Sequence, residues 1–413
     1  MSKKNACLPK QARRGLAPFF IAMFSLLLAI IYLAFICLGL PDSLLGSAWP
    51  SMYQDLGVRI SFSGIVSMLI SLCTIISSFF SGKIAQKFTT KTITVASVAL
   101  TALGILGFSF SSKFWMVCIF AIPYGLGAGG VDAALNNYVA LHYQSKHMSW
   151  LHCAWGLGAI VGPYIMGYAL TRGIGWNKGY FIVAIIQCIF TALLIFTLPL
   201  WKKGEKKERS EDIKLPRVSY REVLKTKGVL ETVITFFCYC ALEQTTILWA
   251  GSYMVIHNGV SEALAANYAS LFFVGMTVGR AINGFFAMKF RDEQMIRVGQ
   301  LLILFGALLV FVSTNIYLTI CGFLLIGLGC APIYPCIIHS TPFKFGVEKS
   351  QSMIGLQMAF AYVGSLAMPP LFGVIADYIS IHLLSPFLLV LLFFMVLTQE
   401  RTLRKTAYRR EML

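Results

Sequence analysis

The sequence predicts an all-α membrane protein: twelve transmembrane helices in two pseudo-symmetric six-helix bundles. Three observations predict it. Of 413 residues, 57% are apolar and only 12% are charged, about half the charge density of an average soluble domain. The apolar residues fall into long runs nearly free of charge, and about 20 such residues cross a ~30 Å hydrocarbon core. The basic residues sit between the runs and favour one side. This composition excludes a disordered chain, a collagenous chain and a small disulfide scaffold. A soluble enzyme of this length could not hide so much apolar surface.

Twelve runs meet the length requirement, near 18–44, 60–82, 92–111, 114–141, 148–171, 179–200, 229–256, 263–288, 298–313, 316–340, 351–376 and 382–399. The first follows a basic start (Lys3, Lys4, Lys10, Arg13, Arg14). It is too long for the apolar core of a signal peptide, and no clean cleavage site follows it. If both termini are cytoplasmic, the inner segments hold 29 Lys and Arg, the outer loops hold four (Arg59, Lys113, Arg172, Lys178), and Arg280 lies inside a span. The positive-inside rule then puts both ends in the cytoplasm. Trp201–Lys227 is the one long hydrophilic stretch. It separates an N-terminal bundle (1–200) from a C-terminal bundle and tail (228–413), with 201–227 as cytoplasmic linker.

The net charge of +17 does not point to nucleic acid, because the basic residues occupy short loops rather than a polar domain. The eleven cysteines are scattered and mostly lie in apolar runs. Cys238 and Cys240 have no nearby histidine pair at zinc-ligand spacing. No metal, cofactor or enzymatic constellation is expected.

The two halves repeat. Gly82 is followed five positions later by Lys87, and Gly284 by Lys289, at an offset of 202 residues. Asp42 precedes Gly82 by 40 residues and Glu243 precedes Gly284 by 41. Each half therefore carries one acid at a matching place in its first helix, as a carrier built from repeats would.

Buried carboxylates are costly in hydrocarbon and mark function. Asp42, Asp132 and Glu243 are the candidates. Asp132 and Asn136 are four apart and share a helix face, with Asn137 on the neighbouring stripe. Acids and amides bracket hydroxyl groups from donor and acceptor sides, so this face suits a polyhydroxylated solute. Gln244 adds a second amide beside Glu243. Trp155 and Trp249 are candidate stacking surfaces. His152 shares a face with Trp155, and Trp249 with Tyr253. Arg280 is expected to act structurally, as a gate ion pair or helix-end cap. Gly162 and Pro163, within Gly158–Gly167, are expected to permit close helix packing and a kink.

These residues together resemble the major facilitator superfamily. Gly82 to Lys91 is similar to its first-loop motif, with Gln86, Lys87, Thr89 and Thr90 in place of the usual Asp, Arg, Gly and Arg. Gly158 to Gly167 resembles its helix-five glycine–proline motif, with Met166 replacing a glycine. Within the superfamily the chain resembles the fucose–galactose–glucose proton symporter group. Pro41-Asp42-Ser43-Leu44-Leu45 matches that group's helix-one acid stretch, and Val131 to Val139 its helix-four run, with Asp132 for Glu. Tyr239 to Glu243 with Trp249 and Tyr253, Gly279-Arg280, and Ile333-Tyr334-Pro335 are likewise similar.

The resemblance implies alternating access around a midplane site and proton-coupled import of a sugar or polyol by a monomer, and with no eukaryotic targeting signal apparent a bacterial inner membrane is expected. Asp42 and Asp132 would carry protons. Asn136, Asn137, Glu243, Gln244, Trp155 and Trp249 would contact the solute, and Gly82, Lys87, Arg280, Gly162 and Pro163 would serve gating or structure. A sodium-coupled sugar carrier, an efflux antiporter for an apolar or cationic solute, and a non-transporting receptor remain as alternatives.

Overall fold

The computed structural model describes residues 10–143, 145–201, 220–286, 289–312 and 314–406. Among them, the regular elements are all helical. The N-terminal set is α1 (Lys10–Asp42), α2 (Leu44–Asp55), α3 (Phe62–Lys87), α4 (Thr90–Ser109), α5 (Phe114–His142), α6 (Ser145–Thr171) and α7 (Gly175–Thr197). A short α8 (Tyr220–Leu224) precedes the C-terminal set: α9 (Val229–Asn258), α10 (Glu262–Phe286), α11 (Asp292–Val312), α12 (Ile316–Phe345), α13 (Val347–Tyr378) and α14 (Leu384–Thr406). Most of the linker expected over 201–227 lies outside the described residues.

Among the described residues, eleven stretches are long and apolar enough to cross a membrane. α10 is the twelfth crossing. It is diluted by Asn267, Arg280 and Asn283, yet its 25 residues reach about 37 Å at 1.5 Å per residue. An even number of crossings leaves both chain ends on one side, here called the terminal face. The opposite side is the far face.

Several boundaries differ from expectation, two of them for reasons legible in the chain. The first span does not stop near residue 44: α1 breaks at Ser43, and α2 carries the same span on to Asp55. Pro50 lies inside α2, so this proline is tolerated in a buried helix. The ninth span starts at Asp292 rather than 298, because Asp292 and Glu293 suit a helix N-terminus although they are not apolar. α9 shows the clearest punctuation. Left-handed Gly228 (φ 88°) precedes it and left-handed Gly259 (φ 67°) ends it, backbone states that favour glycine.

Small residues set how closely helices approach. A Cβ on Gly39 would lie 2.0 Å from the Trp155 carbonyl oxygen, and one on Gly158 would lie 2.0 Å from that of Ile36. A Cβ on Gly162 would meet the Leu40 carbonyl at 2.4 Å. α1 and α6 therefore touch backbone to backbone. Gly158→Val is expected to cost at least the ~1–3 kcal/mol of an overpacked core, because backbone cannot move aside. Loss of monodisperse protein after detergent extraction would show it, and wild-type yield and unfolding temperature would refute it.

The two sets meet chiefly along three helix pairs, and α2 also touches α10. α2 lies against α9, where a Cβ on Gly46 would be 2.3 Å from the Ile247 carbonyl. α3 lies against α13, with Gly64 against Pro370, and α6 against α10, with Gly167 against Asn267. Each pair joins one helix from each half, as a pseudo-two-fold arrangement requires.

Candidate functional site

The candidate site is built from residues on five helices, α1, α5, α6, α9 and α10. Asp42, at the end of α1, is held by two donors. Tyr124 of α5 donates to its Oδ1 at 2.7 Å, and the Trp155 indole of α6 donates to its Oδ2 at 2.8 Å. The glycine contacts of α1 and α6 bring Trp155 this close. The α1 break falls one residue later.

Trp155 faces the other half of the molecule. Phe273 of α10 meets its ring edge-on at 6.2 Å, and the Arg280 guanidinium sits 5.5 Å from its ring centroid. Arg280 Nη2 in turn lies 3.7 Å from Glu243 Oε1 on α9. Gly156, next to Trp155, leaves room for Thr277; a Cβ there would lie 2.2 Å from its hydroxyl. The result is one chain of contacts, Asp42–Trp155–Arg280–Glu243, that links the acid of each half through an indole and a guanidinium. A carboxylate and a cation at this depth offset each other's desolvation, and the indole face favours the cation.

Asp132 lies on the same side of α5. The Asn136 amide donates to its Oδ1 at 2.9 Å and to its backbone carbonyl at 3.0 Å. Asn136 Oδ1 is buried and has no partner among the described residues. The amide therefore orients the acid and presents a spare acceptor. The side chain of Asn137 and the surroundings of Gly82 lie outside the described residues. Gln244 is half-buried on α9.

Trp249 occupies a different place from that expected. It is fully buried, its indole donates to the Pro369 carbonyl at 3.0 Å, and Phe372 packs edge-on at 5.4 Å. It staples α9 to α13 and, in this conformation, has no face open for a solute. Tyr253 is likewise committed to the Val310 carbonyl at 3.0 Å. His152 packs edge-on against Phe35. Lys87 is exposed at the end of α3, while Gly162 and the buried Pro163 sit in the α1–α6 seam. Tyr124 was not anticipated; a lone tyrosine beside Pro123 in an apolar span carries no signal that it faces an acid.

The far face is closed by carboxylates from the C-terminal half. Glu262 accepts hydrogen bonds from Ser51 and, at 3.1 Å, from Gln54. Asp377 accepts from Ser61 at 3.2 Å and lies 3.6 Å from Arg59. Each such exposed contact is worth up to ~1 kcal/mol. The double variant Glu262→Ala, Asp377→Ala is expected to shift the far-face opening equilibrium about ten-fold, which corresponds to ~1.4 kcal/mol. Faster amide exchange in α2 and α9 would report it, and unchanged exchange would refute it.

The chain matches the Major Facilitator Superfamily over residues 31–269 and again over 232–411. It is 26% identical to the glucose/mannose transporter GlcP of Bacillus subtilis over 256 residues, 59% of this chain and 62% of that one. It is 23% identical to multidrug resistance protein 2 of the same bacterium over 384 residues, 89% of this chain and 91% of that one. Its fold is similar to that of a variant of the nucleoside transporter NupG, with a TM-score of 0.75 at 13% identity, covering 91% of this chain and 98% of that one. With two matches that together span nearly the whole chain and an all-helical fold in which eleven described stretches are long and apolar enough to cross a membrane, this protein belongs to the Major Facilitator Superfamily of multi-pass membrane transporters.

Proposed function

We propose that the protein is a proton-coupled symporter of a sugar or related polyol. The observation that carries this reading is the mid-depth chain from Asp42 through Trp155 and Arg280 to Glu243. An ionised Asp42 accepts two hydrogen bonds, and charge-assisted bonds of this kind are the stronger sort. A proton on one Asp42 oxygen removes an acceptor site and loosens either Tyr124 or Trp155. Because Trp155 also touches Phe273 and Arg280, that loosening reaches the contact between the halves. Proton binding in one half thus biases the rocking of both. An unloaded, deprotonated carrier resists turnover, since rearrangement would strip a bare carboxylate of its donors.

Asp132 is the second proton carrier in this reading. Its neighbour Asn136 offers a free amide oxygen to a solute hydroxyl, and Glu243, Gln244 and Trp155 are the further solute contacts in this reading. The likeness to a glucose/mannose transporter supports a hexose-sized, hydroxyl-rich solute. The 29 basic residues on the terminal side support cytoplasmic termini, and we assign the carrier to a bacterial inner membrane as a monomer.

Asp132→Asn is expected to abolish proton-driven accumulation while leaving counterflow exchange intact. Uphill uptake surviving in this variant would sink the assignment. Purified protein in liposomes with a trapped pH dye, given hexoses and deoxyhexoses with sodium or choline outside, tests the class. Sugar-dependent acidification of the lumen in both salts supports proton symport, and uptake that needs sodium replaces it with sodium coupling.

A second reading is an efflux antiporter for an apolar or cationic solute. The likeness to a multidrug resistance protein over most of the chain and the Gly158–Gly167 seam favour it. A proton flux opposite in direction to that of the solute would establish it.

A further inference from the structure

Away from the solute path, α11 and α14 run antiparallel on the outside of the C-terminal half. A groove of about 450 Å³ lies between them. Its walls are apolar, formed by Leu304, Leu389, Phe393 and Val396 among others, and polar side chains line it at one end only: Arg297, Gln300 and Glu400. Phe393 is 62% exposed, so in a membrane the groove opens onto lipid.

The polar end has a defined depth. Arg297 lies five residues after the terminal-face end of α11, and Glu400 six before that of α14. At 1.5 Å per residue this is about 8 Å below the helix ends, near the boundary between headgroups and hydrocarbon. Gln300 lies about 4.5 Å deeper on the same helix.

Two side chains there have donors to spare. Arg297 grips Glu400 through two hydrogen bonds, at 2.7 and 2.8 Å. A guanidinium has five N–H groups, and Arg297 is about half exposed. Gln300 is only 4% exposed, and its Nε2 has no partner among the described residues. A buried amide without an acceptor costs ~1–3 kcal/mol, and Gln300 lines the inner end of the groove, so a turn of its side chain into the groove would let an acceptor delivered from the membrane satisfy it. The groove presents the spare N–H groups of one guanidinium, already paired with Glu400, near headgroup depth, one neutral donor a few ångströms deeper, and apolar wall beyond. Phosphate, ester carbonyl and acyl chain follow one another in that order in a glycerophospholipid.

We propose that this groove is a binding site for one diacyl phospholipid of the terminal-side leaflet. The phosphate takes the remaining N–H groups of Arg297, an ester carbonyl takes Gln300 Nε2, and one acyl chain lies along Leu304, Leu389 and Phe393. The site is separate from the Asp42–Glu243 chain and stands whatever solute the protein carries.

The test uses the full chain, extracted in detergent, stripped of lipid and titrated with dioleoyl phosphatidylglycerol under native mass spectrometry. One tightly held lipid per wild-type protein is expected. Gln300→Leu should weaken it about ten-fold, the equivalent of one good hydrogen bond. Leu304→Trp, which fills the groove, should abolish it. Dioleoylglycerol, which lacks the phosphate, should bind at least ten-fold more weakly than the phospholipid. Gln300→Leu removes an unsatisfied amide, so the lipid-free variant should unfold at or above the wild-type temperature. That outcome separates lost binding from misfolding should Leu304→Trp fail to fold. Equal lipid retention by wild type and Gln300→Leu, equal affinity for dioleoylglycerol, or retention of detergent alone would each overturn the proposal.

Discussion

Asp42→Asn is expected to leave a carrier that exchanges solute but accumulates none. The substitution keeps size and shape. Its remaining oxygen can accept from the Trp155 indole, which can only donate, and its new amide can donate to the Tyr124 hydroxyl, which can turn to accept. The local geometry at 2.7 and 2.8 Å should therefore survive. What is lost is the group that takes up and gives back a proton. A site with no differential proton affinity between two states moves no equilibrium between them, so the inside-to-outside solute ratio should fall to about one. Counterflow should stay within a few-fold of wild type. Accumulation in liposomes under an imposed pH gradient measures the first, and radiolabelled exchange without a gradient the second. Persistent uphill uptake would remove Asp42 from the coupling step, and lost exchange would make it a packing residue.

Arg280→Gln is expected to be the most damaging change to stability. Arg280 is the one basic residue inside a predicted span, and Glu243 is 8% exposed beside it. Removing the cation leaves that carboxylate in a dry place without its partner, which costs ~3–5 kcal/mol for a fully buried pair. Here the atoms are 3.7 Å apart and the Arg280 side chain is 21% exposed, so about 3 kcal/mol is expected. The contact with the Trp155 face adds up to ~1 kcal/mol. The double variant Glu243→Gln, Arg280→Gln should recover most of the loss, because two neutral amides can hydrogen-bond where one bare charge cannot. Denaturation of the purified proteins, read as a double-mutant cycle, gives the coupling directly. A double variant no more stable than Arg280→Gln alone would show that the two side chains act independently.

The proposed lipid site and these two results bear on different parts of the molecule. In the proposed mechanism Arg280, and Asp42 through Trp155, act on the contact between the halves. Arg297 and Gln300 sit on the outer flank of one bundle, where a ligand stabilises that bundle without entering the solute path.

Much of the membrane architecture was legible in the residues alone. Runs of apolar residues need lipid, and the 202-residue spacing of Gly82 and Gly284 anticipates two matching sets of helices. The three acids could also be singled out, because a carboxylate in hydrocarbon is rare whatever surrounds it. The helix break at Ser43 was harder to see. Pro41 and Pro50 flank it, but proline spacing does not say whether a chain turns back or continues, and here packing of α2 against α9 carries it on to Asp55.

Partners were not legible. Trp155 and Trp249 look alike in sequence, each a tryptophan within a few residues of a helical polar group. One serves the mid-depth acid and the other staples α9 to α13. The difference is made by Gly39 and Gly158, which let two backbones touch and turn Trp155 towards Asp42, and by Pro369, whose carbonyl captures Trp249. Glu262 and Asp377 read as ordinary acids near span ends, and only the meeting of the two halves makes them closing contacts. Sequence by itself determined which segments leave water and which polar residues must be accounted for, since both follow from transfer free energy and local spacing. The tertiary structure decided which of those residues meet, because a hydrogen bond depends on the direction and distance between helices that are far apart in the chain.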